Sequence, residues 1–203
     1  MWGVLLTLGL FVDEGLGNTV GVPFGGAGTV AVPRPPDMGL DPPPRAQPPL
    51  YSPRGDAAAL RFCRDIPKYS TCQVFLVRPG LPTRALPRSD VQRLLWSPDG
   101  RFLIGAGANT VRLWNLAGGV RAQVPQPPGA GATRLVRTRT VTGLHLRRGE
   151  LCVSLLADVF RKSGGPAVAG RTATFRYALP ALRPAERAPS PPGRATPPPA
   201  TCP

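Results

Sequence analysis

Between residues 57 and 183, apolar residues come in short runs broken by Gly, Pro, Asn and Asp. No stretch of ten or more residues sustains apolar recurrence at helical spacing, so the pattern predicts strands and little helix. The runs fall into three groups. In the first, AALRFC (58–63) and CQVFLV (72–77) flank the polar loop RDIPKYST and predict a hairpin. In the second, residues 91–118, VQRLLWSPDGRFLIGAGANTVRLWNLAG, predict a three-stranded antiparallel meander. The third contains TVTGLHLR (140–147), ELCVSLL (150–156) and TATFRYAL (172–179). Its first two strands meet at Arg148-Gly149, a tight-turn signal, and its last two flank the loop KSGGPAVAG.

The second group carries the clearest turn chemistry. In Ser97-Pro98-Asp99-Gly100, proline presets φ at the first central position, Asp99 tolerates the second, and Gly100 can take a positive φ. The following strand, Phe102-Leu103-Ile104-Gly105-Ala106, is nearly continuous in apolar and small residues. Such a strand predicts a sheet covered on both faces. The run SPDGRFLIGAGANTVRLWNL resembles the three inner strands of one WD-repeat, with Trp114-Asn115 where that family usually carries Trp-Asp. The resemblance covers 91–118 only. It implies a β-propeller blade, with loops that meet partners. Arg88-Ser89-Asp90 stands where the family commonly has Gly-His. Gly or Ala replaces its second-strand Ser/Thr, and the acid of the following turn is absent. Trp114 alone remains of the usual hydrogen-bonded structural group, so the repeat is a degenerate one.

The expected fold is therefore all-β, built of antiparallel meanders in a partial, propeller-like array of about three blade-sized units. Closed propellers have roughly four to eight blades, so three would leave sheet edges open. Self-association, for instance two chains completing one ring, is one resolution. A small sandwich or barrel is a second, and a fragment of a once larger propeller is a third.

Outside 57–183 the pattern changes. Residues 1–14 contain the apolar run WGVLLTLGLFV (2–12), about the length of a signal-peptide apolar region and too short for a transmembrane helix. No Lys or Arg precedes it and Asp13-Glu14 follows, so export to the periplasm or envelope and a cytoplasmic location are both open. Residues 15–56 and 184–203 are Gly/Pro-rich and predict an extended linker and tail, disordered arms on the β domain. Proline (28) and glycine (24) make up about a quarter of the 203 residues.

Charge adds a candidate partner. Twenty-five basic residues stand against 11 acidic ones, and all but Lys68 and Lys162 of the basic ones are arginine. A net charge of +14 attracts polyanions such as nucleic acid or an anionic envelope. A G+C-rich genome would produce the same arginine bias. Arg134, Arg137, Arg139, Arg147 and Arg148 lie close along the chain, as do Arg161 and Lys162, and these are the candidate contacts. Aromatic stacking partners are sparse, which argues against sequence-specific recognition.

Cys63 and Cys72 face each other across the first hairpin and predict a disulfide, with two buried thiols as the other reading. Cys152 lies in an apolar strand and Cys202 in the tail. No Cys-x-x-Cys or Cys/His cluster suggests a structural metal. His145 is the one histidine, and no Gly-x-Ser-x-Gly elbow or P-loop occurs. Gly26-Ala27-Gly28 begins a relaxed dinucleotide fingerprint, but Pro33, Pro35 and Pro36 prevent the helix that it needs. The expected function is a non-catalytic interaction or scaffold module, with no cofactor, that binds a protein partner or itself through blade loops and edges. Polyanion binding without sequence specificity is the alternative.

Overall fold

The computed structural model describes residues 18–35, 44–66, 69–87, 90–126, 135–160 and 171–185. Apart from one 3-10 turn at Gly25–Ala27, all regular structure among them is antiparallel β. A hairpin of β1 (Thr19–Pro23) and β2 (Thr29–Pro33) comes first. Three meanders follow. The first contains β3 (Arg45–Ala46), β4 (Leu50–Tyr51), β5 (Ala58–Ile66), β6 (Tyr69–Val77) and β7 (Arg84–Ala85). Both β3 and β4 pair with β5, so they act as one innermost strand interrupted at Gln47-Pro48-Pro49. The second contains β8 (Val91–Trp96), β9 (Phe102–Gly107), β10 (Thr110–Asn115) and β11 (Val120–Pro125). The third contains β12 (Leu135–Arg147), β13 (Glu150–Phe160), β14 (Arg171–Ala178) and β15 (Arg183–Pro184). Each meander adds its strands in chain order, and the innermost strands β4, β8 and β12 lie beside one another. This is the partial, propeller-like arrangement of three blades that the strand pattern predicts.

Alternation along the strands determines how the blades stack. In β9, Leu103 enters the core shared with the first blade, while Ile104 and Ala106 enter the core shared with the third. In β10, Trp114 points to the first blade, and Val111 and Leu113 point to the third. The middle blade is thus covered on both faces, as its near-continuous apolar strand requires. The first blade is covered on both faces too. Ala57, Ala59, Val74 and Leu76 face the middle blade, whereas Leu60, Phe62, Phe75 and Val77 face the β1–β2 hairpin.

That hairpin corrects the expectation of an extended linker over 15–56. Val20, Val22 and Val32 are at most 2% exposed, and Phe24 stacks edge-on with Tyr51 at 5.7 Å. The Tyr51 hydroxyl donates to the Pro23 carbonyl at 2.6 Å. Proline is compatible with this hairpin because Pro23 and Pro33 fall at strand ends, where a missing amide proton breaks no central ladder. The expected tail from 184 lies outside the described residues, apart from Pro184 and Ala185, and so does the apolar segment 1–14.

The Ser97–Gly100 turn forms as its residues dictate. The Gly100 amide donates to the Ser97 carbonyl at 2.8 Å, and Gly100 has φ +66°. Asp99 Oδ1 accepts from Ser97 Oγ at 2.6 Å and from the Arg101 amide at 3.1 Å, which holds its carboxyl below the usual range. At the β12–β13 turn, Arg148 (φ +47°) and Gly149 (φ +81°) are both left-handed, the requirement of a two-residue primed turn.

The first hairpin is longer than its polar loop suggests. β5 and β6 pair from Ala58↔Val77 out to Ile66↔Tyr69, with Cys63 directly opposite Cys72. The two form a disulfide with Cα atoms 4.2 Å apart. Cys152 is 5% exposed and is likewise disulfide-bonded. Replacing Cys63 and Cys72 together by serine should lower unfolding stability by roughly 2–3 kcal/mol in the chain-entropy model, read from urea melts. Alkylation of Cys63 without prior reduction would contradict the bond.

Candidate functional site at the inner-strand junction

Where the innermost strands meet, two β-bulges face each other. In the β8–β9 ladder, Val91 pairs with Gly107 and Arg93 with Ala106, so Gln92 is left as the extra residue. In the β12–β13 ladder, Val141 pairs with Leu155 and Gly143 with Ser154, which leaves Thr142 extra. A bulge re-aims side chains. Here Gln92 docks onto the backbone of β12: Nε2 donates to the Arg139 carbonyl at 3.0 Å, and Oε1 accepts from the Val141 amide at 2.6 Å. Its side-chain amide thus substitutes for a piece of strand between the blades.

Arginines complete the junction. Arg93 Nε donates to the Val141 carbonyl at 3.3 Å, and Arg61 Nη1 donates to the Gln92 carbonyl. Between them lies a groove of about 250 Å³, walled also by Gln47, Thr140 and the Cys63–Cys72 disulfide. Among the described residues the groove therefore holds two guanidinium groups and no carboxylate. It suits an oxyanion chemically, yet its arginines also join blade to blade, and it offers no nucleophile paired with a base.

Of the residues expected to contact a polyanion, Arg139, Arg147 and Arg148 have described side chains. Arg139 is half-buried and donates to the Ala108 carbonyl at 3.3 Å. Arg147 and Arg148 are exposed together at the far end of β12. Arg137 lies on β12, and Arg134, Arg161 and Lys162 lie outside the described residues. His145 is exposed on β12, and no group of three or more His, Cys, Asp or Glu gathers among the described residues.

Sequence reasoning missed two polar arrangements. Asp90 Oδ2 accepts from the Asn109 amide at 2.6 Å, and Oδ1 from Thr110 Oγ1 at 3.3 Å. The β9–β10 turn, which lacks an acid of its own, is thus capped by the one immediately before β8. The second arrangement joins the outer parts of two blades. The Tyr177 hydroxyl donates to Gln126 Oε1 at 2.8 Å, with both residues at most 4% exposed. Burial pushes the Tyr177 phenol up to about 12. The unfolded chain would lose this proton near the ordinary value of about 10. Stability should therefore be intact below pH 10 and fall between 10 and 12, where only the unfolded state ionises. Tyr177→Phe should flatten that fall in alkaline thermal melts. At neutral pH it should destabilise by roughly 1–3 kcal/mol, because it leaves the buried Gln126 Oε1 without its donor.

No protein-family model matches the chain, and no curated protein matches it. Among solved structures it is similar to the β-propeller domain of the Trilobed protease from Pyrococcus furiosus, described as having an open velcro topology. The two share 10% identity with a TM-score of 0.41, over 77% of this chain and 59% of that one.

Proposed function

We propose that this protein is a non-catalytic interaction or scaffold module, with its middle blade a degenerate WD-type repeat. Charge is the observation that carries the reading. Between described side chains one ion pair forms, Arg176–Glu150 at 3.9 Å, on a chain of net charge +14. Asp56, Asp90 and Asp99 are used within turns or to cap them, bonded to Ser52, to Asn109 and Thr110, and to Ser97 and Arg101. Exposed arginines such as Arg45, Arg54, Arg84 and Arg121 are left to be neutralised by something else. The WD-type reading rests on Trp114, fully buried against Gly105 as the third-strand tryptophan of such a blade.

Loops and grooves suit contact better than sheet edges. The outermost strands β7 and β15 are two residues long and contain Arg84 and Arg183. Proline follows at Pro87 and at Pro184 itself, and β11 ends at Pro125. Short, basic, proline-terminated edges resist strand addition. The disulfide fits an oxidising compartment, and no described helix is long and apolar enough to cross a membrane. Gentle crosslinking of the full chain followed by pull-down should return a reproducible partner or a self-contact. A clean blank would remove the reading.

Nonspecific polyanion binding is the second reading, favoured by the same unpaired charge. It predicts an electrophoretic shift that weakens steeply with salt. No shift at low salt, or one indifferent to salt, would exclude it.

A further inference from the structure

Away from the inner-strand junction, the β6–β7 loop and the β10–β11 turn form the walls of a second groove of about 230 Å³. Its apolar lining comes from Leu76, Leu81, Pro82 and Leu116. Leu76 is buried, but Leu81 stands 48% exposed, among the few large apolar side chains left so open. Two arginines border it, Arg78 half-buried and Arg84 exposed. Among the described residues neither guanidinium has a hydrogen bond or ion pair, and no carboxylate lines the groove. Gly118 fixes the position of Arg84: a Cβ there would sit 2.5 Å from Arg84 Cδ and 3.2 Å from Leu86 Cδ2. The arginine stem therefore lies across the turn only because residue 118 has no side chain, and Gly118 also takes φ +79°. An exposed leucine beside two unpaired cations fits one kind of occupant.

We propose that this groove docks a segment of a partner protein that carries an aliphatic side chain flanked by carboxylates. The aliphatic group covers Leu81 and Leu116, and the carboxylates meet Arg78 and Arg84. The proposal rests on the interaction-module reading and gives that partner its chemistry. Nucleic acid fits less well, because the lining offers no aromatic face for a base and its apolar floor would desolvate phosphate.

The test uses the full chain and fluorescein-labelled peptides in anisotropy titrations: one alternating Glu and Leu, a second with Leu replaced by Ser, and a third with Glu replaced by Gln. A single-stranded oligonucleotide serves as the polyanion probe. The Glu/Leu peptide should bind tightest. Leu81→Ser and Arg84→Gln should each weaken it by about five- to tenfold, the size of a moderate interface contact. Both variants change exposed residues, and Arg78→Gln provides a third should either fail to fold. Arg183→Gln, on the β15 edge, should leave the peptide affinity unchanged. Equal losses in Arg84→Gln and Arg183→Gln would mean diffuse charge and overturn the groove. So would equal binding of the three peptides, or a larger loss for the oligonucleotide than for the peptide. A crosslinked partner that survives Leu81→Ser would overturn the groove alone and leave the interaction reading standing. The absence of any partner with the wild-type chain would defeat both.

Discussion

Gly105→Val should leave no cooperatively folded protein at ambient temperature, and Gly105→Ala should already lower stability by about 3 kcal/mol, the upper end for overpacking. A Cβ at residue 105 would sit 2.6 Å from Trp114 Cζ3, 2.8 Å from Cη2 and 3.0 Å from Val91 Cγ2. None of these neighbours can withdraw, because Trp114 and Val91 are both fully buried between the first two blades. The branched valine adds two further methyl groups to the same space. Set against a total stability of roughly 5–15 kcal/mol for a domain, that is a large fraction. Urea melts followed by tryptophan fluorescence would measure it. A Gly105→Ala protein that melts with the wild type would show that the indole does not lie on this glycine.

The same pair explains a residual cost. Trp114 Nε1 is buried with no hydrogen-bond partner. The strand beside the indole, β9, carries Gly105 and Ala106 there, neither with a side-chain acceptor. Residue 105 without a side chain leaves room for the ring but offers it no acceptor. An unmet buried donor costs about 1–3 kcal/mol, less than the roughly 3–5 kcal/mol at stake in burying the whole side chain. Packing therefore wins, and the tryptophan remains as a hydrophobic anchor.

Sequence legibility followed how local each signal was. The Ser97–Gly100 and Arg148-Gly149 turns were readable because four or fewer adjacent residues determine them. The alternating strands of the third blade were readable for the same reason, although β12 and β13 extend beyond the expected 140–147 and 150–156. β11 was missed because Val120–Pro125 is short and mostly exposed, and of its alternating apolar residues only Ala122 and Val124 pack against the core. The bulges at Gln92 and Thr142 leave almost none: they are properties of a ladder, and nothing in the flanking residues alone predicts them. Asp90 was passed over because its partners, Asn109 and Thr110, lie 19 and 20 residues away. The hairpin over 19–33 is different, because its signal was present. Val20, Val22, Val30 and Val32 recur at a period of two on either side of Phe24-Gly25-Gly26-Ala27-Gly28. High proline and glycine content obscures that alternation, although prolines at strand ends do not oppose a peripheral hairpin.

Removing residues 1–34 should turn the protein into a concentration-dependent associating species, a result that an unstructured linker would not produce. The truncation uncovers the face of the first blade that carries Leu60, Phe62, Phe75 and Val77, each at most 7% exposed in the intact chain. It also removes the Phe24–Tyr51 stack and the cation of Arg34, which lies 5.9 Å from the Phe62 ring. The loss of unfolding free energy should be smaller than the buried side chains suggest. Burying four of them is worth roughly 1.5–3 kcal/mol each, but ordering the hairpin backbone opposes this at about 1–2 kcal/mol per residue. The larger change is in the surface, because an exposed apolar blade face invites a second one. At the other end of the stack the described side chains of β12–β14 include Thr142, Ser154 and Thr174, each in a hydrogen bond at 3.3 Å, and the Arg176–Glu150 pair, beside the buried, disulfide-bonded Cys152. With the hairpin over one end and these polar groups at the other, the described surface offers a second copy little apolar area. Light scattering should therefore find the full chain unassociated at concentrations where the truncated one self-associates. Val22→Asp, which places a carboxylate in the same interface without shortening the chain, should reproduce the association. If truncated and intact chains scatter alike, the hairpin does not cover the blade.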